Sequence, residues 1–149
     1  MFEIIIPVET LEVDSRYPLF VGGQAWVEIE GVTFPGAHWT DTPLSVLGTL
    51  HSAISAVRQG ESADVYFFEG PYFLKIFPVE DGSTPLQLDV VAVCDRSDEG
   101  VVEARAKVTL SEVVKKYNLT LSSVHKWAAT REEVEVLDIL SRIPTFVEI

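Results

Sequence analysis

From Val102 to Val108 every second residue is apolar (Val102, Ala104, Ala106, Val108), and the residues between them are charged (Glu103, Arg105, Lys107). That alternation fits an extended strand with one face on a core and the other in water. A lone strand is not stable, so its neighbours must supply the rest of a sheet. Leu86–Cys94 is a second strand-like run, joined to Val101–Thr109 by the polar loop 95–100. Matching the apolar faces sets Asp89 opposite Lys107, an expected cross-strand ion pair. Asp64–Phe68 and Tyr72–Phe77 flank Glu69-Gly70-Pro71-Tyr72, which reads as a tight hairpin with residues 69 and 72 paired. In that register Phe67 faces Leu74 and Phe68 faces Phe73. Both surfaces then carry bulky apolar groups, so the hairpin is expected to be covered on both sides. The middle of the chain is predicted to be a four-stranded meander.

Before the meander, Glu3–Val8 reads as a first strand. Gln24–Glu30 alternates, with Ala25, Val27 and Ile29 inward and Trp26, Glu28 and Glu30 outward. A helix is predicted from Thr42-Pro43: threonine suits the N-cap and proline the first helical position. Leu44, Leu47, Leu50, Ile54 and Val57 follow at helical steps, and Gly60 ends it; Gly48 and Thr49 weaken it slightly. After the meander, Leu110, Val114, Tyr117, Leu121, Val124 and Ala128 form one amphipathic stripe. Thr130 and Glu133 suggest a capping box opening a last helix with Val134, Leu137, Leu140 and Ile143, closed by Pro144. Residues 146–149 are expected to add an edge strand. The fold class is therefore α+β, one domain over residues 1–149. A mainly antiparallel twisted sheet packs against one internal helix and two C-terminal helices.

Composition narrows function more than it narrows fold. Among 149 residues there are 11 bases and 23 acids, a net charge of −12, and the whole surplus lies before Gly100. Such a field repels phosphate backbones and attracts cationic partners. No apolar run is long enough for a membrane helix, and Glu3 stands where a secretory signal carries positive charge. One cysteine, Cys94, excludes an internal disulfide and suits a reducing cytoplasm. The three histidines (His38, His51, His125) have no metal-ligand spacing, and neither a phosphate loop nor a nucleophile elbow occurs. The expectation is a binding protein rather than an enzyme, with no cofactor and no metal.

The candidate binding residues begin with Phe34–Pro43, which gathers two aromatics, a histidine and an aspartate just before a helix N-terminus. Asp41 there caps the helix and Trp39 staples it to the sheet on the structural reading; on the functional one they form a recognition loop. To Trp39 and Asp41 are added Glu69 and Tyr72 at the hairpin, and Glu80, Asp81, Asp95, Asp98 and Glu99 in the loops.

The order Gly22-Gly23-x-x-Trp26, Phe34, Trp39-Thr40-Asp41, a helix, Phe67-Phe68-Glu69-Gly70-Pro71-Tyr72, a meander and terminal helices resembles bacterial immunity proteins encoded beside polymorphic or contact-dependent toxins. The resemblance is one of layout over most of the chain. It implies a cytoplasmic inhibitor that binds a cognate toxin domain, often a basic nuclease, and blocks its active site. Residues 109–127 carry a rival resemblance, to the helix-turn-helix of transposase-type DNA binders, with Asn118 at the turn. It implies that Ser122, Ser123, His125 and Lys126 enter a major groove. An enzyme whose site these motifs do not reveal is a third class.

Overall fold

A computed structural model describes the chain except for residues 15, 17, 18, 83–85, 97–99 and 149. Ten strands and three helices are described: β1 (Phe2–Ile5), β2 (Glu12–Asp14), β3 (Phe20–Gln24), β4 (Trp26–Ile29), β5 (Val32–Phe34), β6 (Thr40–Asp41), α1 (Pro43–Arg58), β7 (Ala63–Tyr66), β8 (Tyr72–Pro78), β9 (Gln87–Cys94), β10 (Val101–Thr109), α2 (Leu110–Thr130) and α3 (Val134–Leu140). The strands form three antiparallel sheets in the orders β1-β4-β5, β2-β3-β6 and β10-β9-β8-β7. The α+β class, the four-stranded meander, the internal helix and the two C-terminal helices all stand as predicted.

One buried cluster joins the sheets and helices, running from Phe2 and Ile4 through Leu47, Leu74, Val90 and Tyr117 to Leu140. α1 lies on the inner face of the meander, where Val65, Leu74, Ile76, Val90 and Ala106 are buried. α2 packs against α1, β1 and α3. Two threonine hydroxyls finish strand edges: Thr49 of α1 accepts from the Tyr66 N–H of β7 at 3.1 Å, and Thr120 of α2 donates to the Ile4 carbonyl of β1 at 3.1 Å.

Several details depart from the sequence reading. β1 stops at Ile5, because Pro7 has no N–H for a ladder, and a 3-10 turn (Val8–Thr10) follows. Trp26 is buried rather than outward, with the His38 ring 5.2 Å away over it. The hairpin register is Tyr66↔Phe73 and Val65↔Leu74, two residues from the predicted pairing. A slip of two keeps every side chain on its expected face, because the strand period is two. Asp89 does sit opposite Lys107, but its carboxylate is taken by the diagonal Arg105 at 3.2 Å. α1 lines only the inner face of the hairpin, and on the outer face Tyr66 and Lys75 are exposed while Phe73 and Phe77 are half-buried.

α2 is one uninterrupted helix, which corrects the helix-turn-helix: there is no turn at Asn118. The unbroken apolar stripe keeps the helix on the core, and Asn118 has a different partner. Its Oδ1 accepts from the Phe146 N–H at 2.9 Å and its Nδ2 donates to the Phe146 carbonyl at 2.8 Å. One amide thus does for the C-terminal segment what a neighbouring strand would do, and no edge strand forms over residues 144–148. Phe146 packs against Tyr117 and stacks on His51 at 4.8 Å. The Tyr117 hydroxyl donates to the carbonyls of Ile143 and Pro144.

The capping box does not form either. Thr130 is still helical, and α2 closes with Glu132 N–H bonding Ala129 O and Glu133 N–H bonding Ala128 O. This closure sets Glu132 at φ 55, the left-handed region that glycine adopts without strain.

Two predictions follow from these closures. Asn118→Ala removes both strand-like bonds and is expected to cost roughly 1–3 kcal/mol. Limited proteolysis should show cleavage opening selectively after Leu140. Glu132→Gly relieves the left-handed strain and should stabilise the fold by about 1 kcal/mol in chemical denaturation.

Candidate partner-binding site

β6 places Asp41 through its pairing with β3, where Asp41 lies opposite Gly23. The side chain is 2% exposed, and Asp41 is the one buried charged residue among the described residues. Oδ1 accepts from the Thr42 N–H at 2.7 Å and the Phe68 N–H at 3.1 Å. Oδ2 accepts from the Trp39 indole N–H at 2.9 Å, the Phe68 N–H at 3.0 Å and the Glu69 N–H at 3.3 Å. A buried carboxylate is tolerated because these donors replace water. It also sits next to the N-terminus of α1, where the helix dipole favours negative charge. Thr42 occupies the N-cap position but its side chain makes no capping bond. Asp41 therefore holds the N–H of Thr42 itself and the loop 68–69 rather than capping the first turn of α1. Trp39 bonds Asp41 and packs on Tyr72 rather than stapling the helix. Being buried, Asp41 is removed from the set of surface contacts.

The same bonds explain the hairpin. With the Phe68 and Glu69 N–H groups turned to Asp41, neither can join the β7–β8 ladder. The strands close at the Phe67 N–H bond to the Tyr72 carbonyl, 3.1 Å, and residues 68–71 form the loop. Gly70 has φ 146, and a Cβ there would meet the Tyr72 ring at 3.0 Å. Only glycine lets the loop turn this tightly over that ring.

Beneath the loop is a relay of edge-to-face aromatic contacts. Trp39 meets Tyr72 at 5.2 Å, Tyr72 meets Phe34 at 5.6 Å, and Phe34 meets Phe67 at 5.8 Å. Such pairs add to area burial and fix orientation. Trp39 and Tyr72 are both half-buried in this relay, and the Tyr72 hydroxyl accepts from Arg96 at 2.6 Å. Above the relay the loop displays Phe68, 49% exposed, beside the exposed Glu69. The Asp95 N–H donates to the Pro71 carbonyl at 2.7 Å, which ties the exposed Asp95 to the same end of the sheet. A shallow depression of about 330 Å³ there is lined by Asp64, Tyr66, Pro71, Phe73 and Asp95 among others. The Asp64 carboxylate raises the Tyr66 phenol above its usual value, a local sign of the acidic field.

The sequence candidates therefore divide. Trp39, Asp41, Glu69, Tyr72 and Asp95 gather at the hairpin end of the meander. Glu80 and Asp81 are exposed at the opposite end of β8, separated by a seven-residue strand that spans roughly 20 Å. Asp98 and Glu99 lie outside the described residues. Ser122, Ser123, His125 and Lys126 are exposed along the outer side of α2, on no separate recognition helix. Among the described residues no group of three His, Cys, Asp or Glu side chains could hold a metal, and no helix is long and apolar enough to cross a membrane. Phe68 was not among the candidates, because the register read from sequence put it in the sheet opposite Phe73. The available signal was Asp41, a carboxylate with no basic neighbour in sequence and therefore in need of backbone donors.

Asp41→Ala leaves several N–H groups without their acceptor, and a loss of about 3 kcal/mol or more is expected. The loop should loosen with it, and faster amide exchange at Phe68 and Glu69 would report that directly. Compared with known protein families, curated proteins and solved structures, the chain matches none.

Proposed function

We propose that this chain is an immunity-type inhibitor that binds and neutralises a cognate toxin domain, using the loop 68–71 as its anchor. The observation that carries the reading is a half-exposed phenylalanine beside a free-standing glutamate, on a loop whose backbone is fixed from below by a buried carboxylate. Aromatic anchors dominate interface energetics, and a loop ordered before binding loses little entropy on association. The acids around it, Asp64, Glu69 and Asp95, suit a basic partner surface, and the −12 net charge steers such a partner inward. On this reading the chain acts as a stoichiometric binder in the cytoplasm and carries out no chemistry of its own. The layout resemblance to immunity proteins supports the same class.

The test is capture from lysate of the source organism at low salt, with half the sample nuclease-treated and with Phe68→Ala and Glu69→Lys baits run in parallel. One retained protein domain, indifferent to nuclease and lost from both variant baits, is the expected result. Each variant should weaken binding by at least about tenfold, and association should slow steeply with added salt. Retention that vanishes with nuclease would point instead to nucleic acid. Retention unchanged in both variants would remove the loop as the binding site.

A further inference from the structure

The outer face of the meander has a definite pattern. Directly opposed residues of an antiparallel pair share a face, so the registers group the outward side chains into rows. The first row is Tyr66, Phe73, Val93 and Val102, aromatic or aliphatic across all four strands. The second is Asp64, Lys75, Val91 and Arg105, and the third is Phe77, Asp89 and Lys107. Tyr66 is 46% and Val102 56% exposed, and Lys75, Arg105 and Lys107 are exposed as well. This face carries three bases (Lys75, Arg105, Lys107) and three acids (Asp64, Asp89, Glu103), a balanced set on a chain of net charge −12. Away from Asp64 at its hairpin end, it lacks the acidic surplus that would draw a basic partner.

We infer that the open face of the meander packs against the same face of a second copy of the chain, about a two-fold axis parallel to the strands and midway between β8 and β9. That axis sets β7 of one copy over β10 of the other within each row. Asp64, which accepts from the Tyr66 hydroxyl of its own chain, then faces Arg105 of the second copy, twice by symmetry. That contact adds to the bond that Arg105 already makes with Asp89, and Tyr66 faces Val102. The apolar stem of Lys75 covers Val91. The alternative two-fold, running across the strands, lays the second row on itself. It would oppose Asp64 to Asp64, Lys75 to Lys75 and Arg105 to Arg105, and like charges across an interface are repulsive. Self-complementary charge thus selects one arrangement, and aligned face-to-face packing is a standard geometry for two sheets. The face measures about 20 Å by 20 Å from strand spacing and rise, roughly 800 Å² over two copies, which is the size of a weak, transient contact, so a dissociation constant on the order of 100 µM is expected.

Sedimentation velocity from about 5 to 500 µM at roughly physiological ionic strength tests this on four proteins: the natural chain, Asp64→Arg, Arg105→Asp and the double variant. The natural chain should pass from monomer to dimer in that range. Each single variant sets like charges together and should weaken the dimer by at least about tenfold, while the double variant restores it to within a few-fold. Far-ultraviolet circular dichroism and melting curves confirm folding of each variant, both positions being at the surface. A natural chain that stays monomeric throughout would overturn the inference. So would single variants that dimerise normally, or a double variant as weak as either single.

Discussion

The Asp41 carboxylate is the interaction on which the hairpin end of the molecule depends. It ties the junction of β6 and α1 to the loop between β7 and β8, more than twenty positions along the chain. Each bond is ordinary alone. Together, in a place water does not reach, they form a site where losing the acceptor strands several donors at once. The hairpin gives up two residues of pairing to make these bonds, and its register follows from that exchange. The exposed Phe68 and the tight Gly70 turn are consequences of the same carboxylate.

The charge is distributed with a logic that the sum conceals. The acidic surplus lies before Gly100, yet the outer face of the meander is nearly balanced. Acids of the surplus stand on the strands outside the meander, such as Glu3, Glu12 and Glu28, and at exposed loops, Glu69 and Asp95 at one end of the meander and Glu80 and Asp81 at the other. A steering field and a neutral, partly apolar platform can therefore coexist on one chain. The two differ in reach, because the field acts at a distance and the platform only in contact.

Periodicity made most of the architecture legible before any coordinates. The alternation in β10 from Ala104 on, the three-and-four spacing of α1 and the stripe along α2 each report a local repeat that tertiary structure had only to accept. A bulge, by contrast, turns Val102 from the expected core face to the outside. What was not legible depended on long-range polar partners. The hairpin register was set by Asp41, more than twenty positions away, and the fate of the last residues by Asn118. The helix-turn-helix pattern failed for a related reason. A motif match over residues 109–127 reads side chains one at a time, whereas the apolar stripe reads the whole helix against its core. Of the candidate site, the sequence pointed to the hairpin end and its glutamate but not to the exposed Phe68.

The finished edges of the sheets limit how copies of this protein can join. Thr49 occupies an outward backbone donor on β7, Thr120 occupies a carbonyl on β1, and β10 carries a bulge between Val102 and Ala104 that breaks the regular ladder. A strand arriving from another molecule would find these hydrogen-bonding sites already taken or out of step. Sideways growth of one sheet into the next, the route to fibres, is thereby obstructed at both ends of the meander. Contact through a flat face about a two-fold axis closes after two copies, whereas edge pairing has no natural end. Two helices and one extra residue thus stand at these margins, where a further strand would otherwise add.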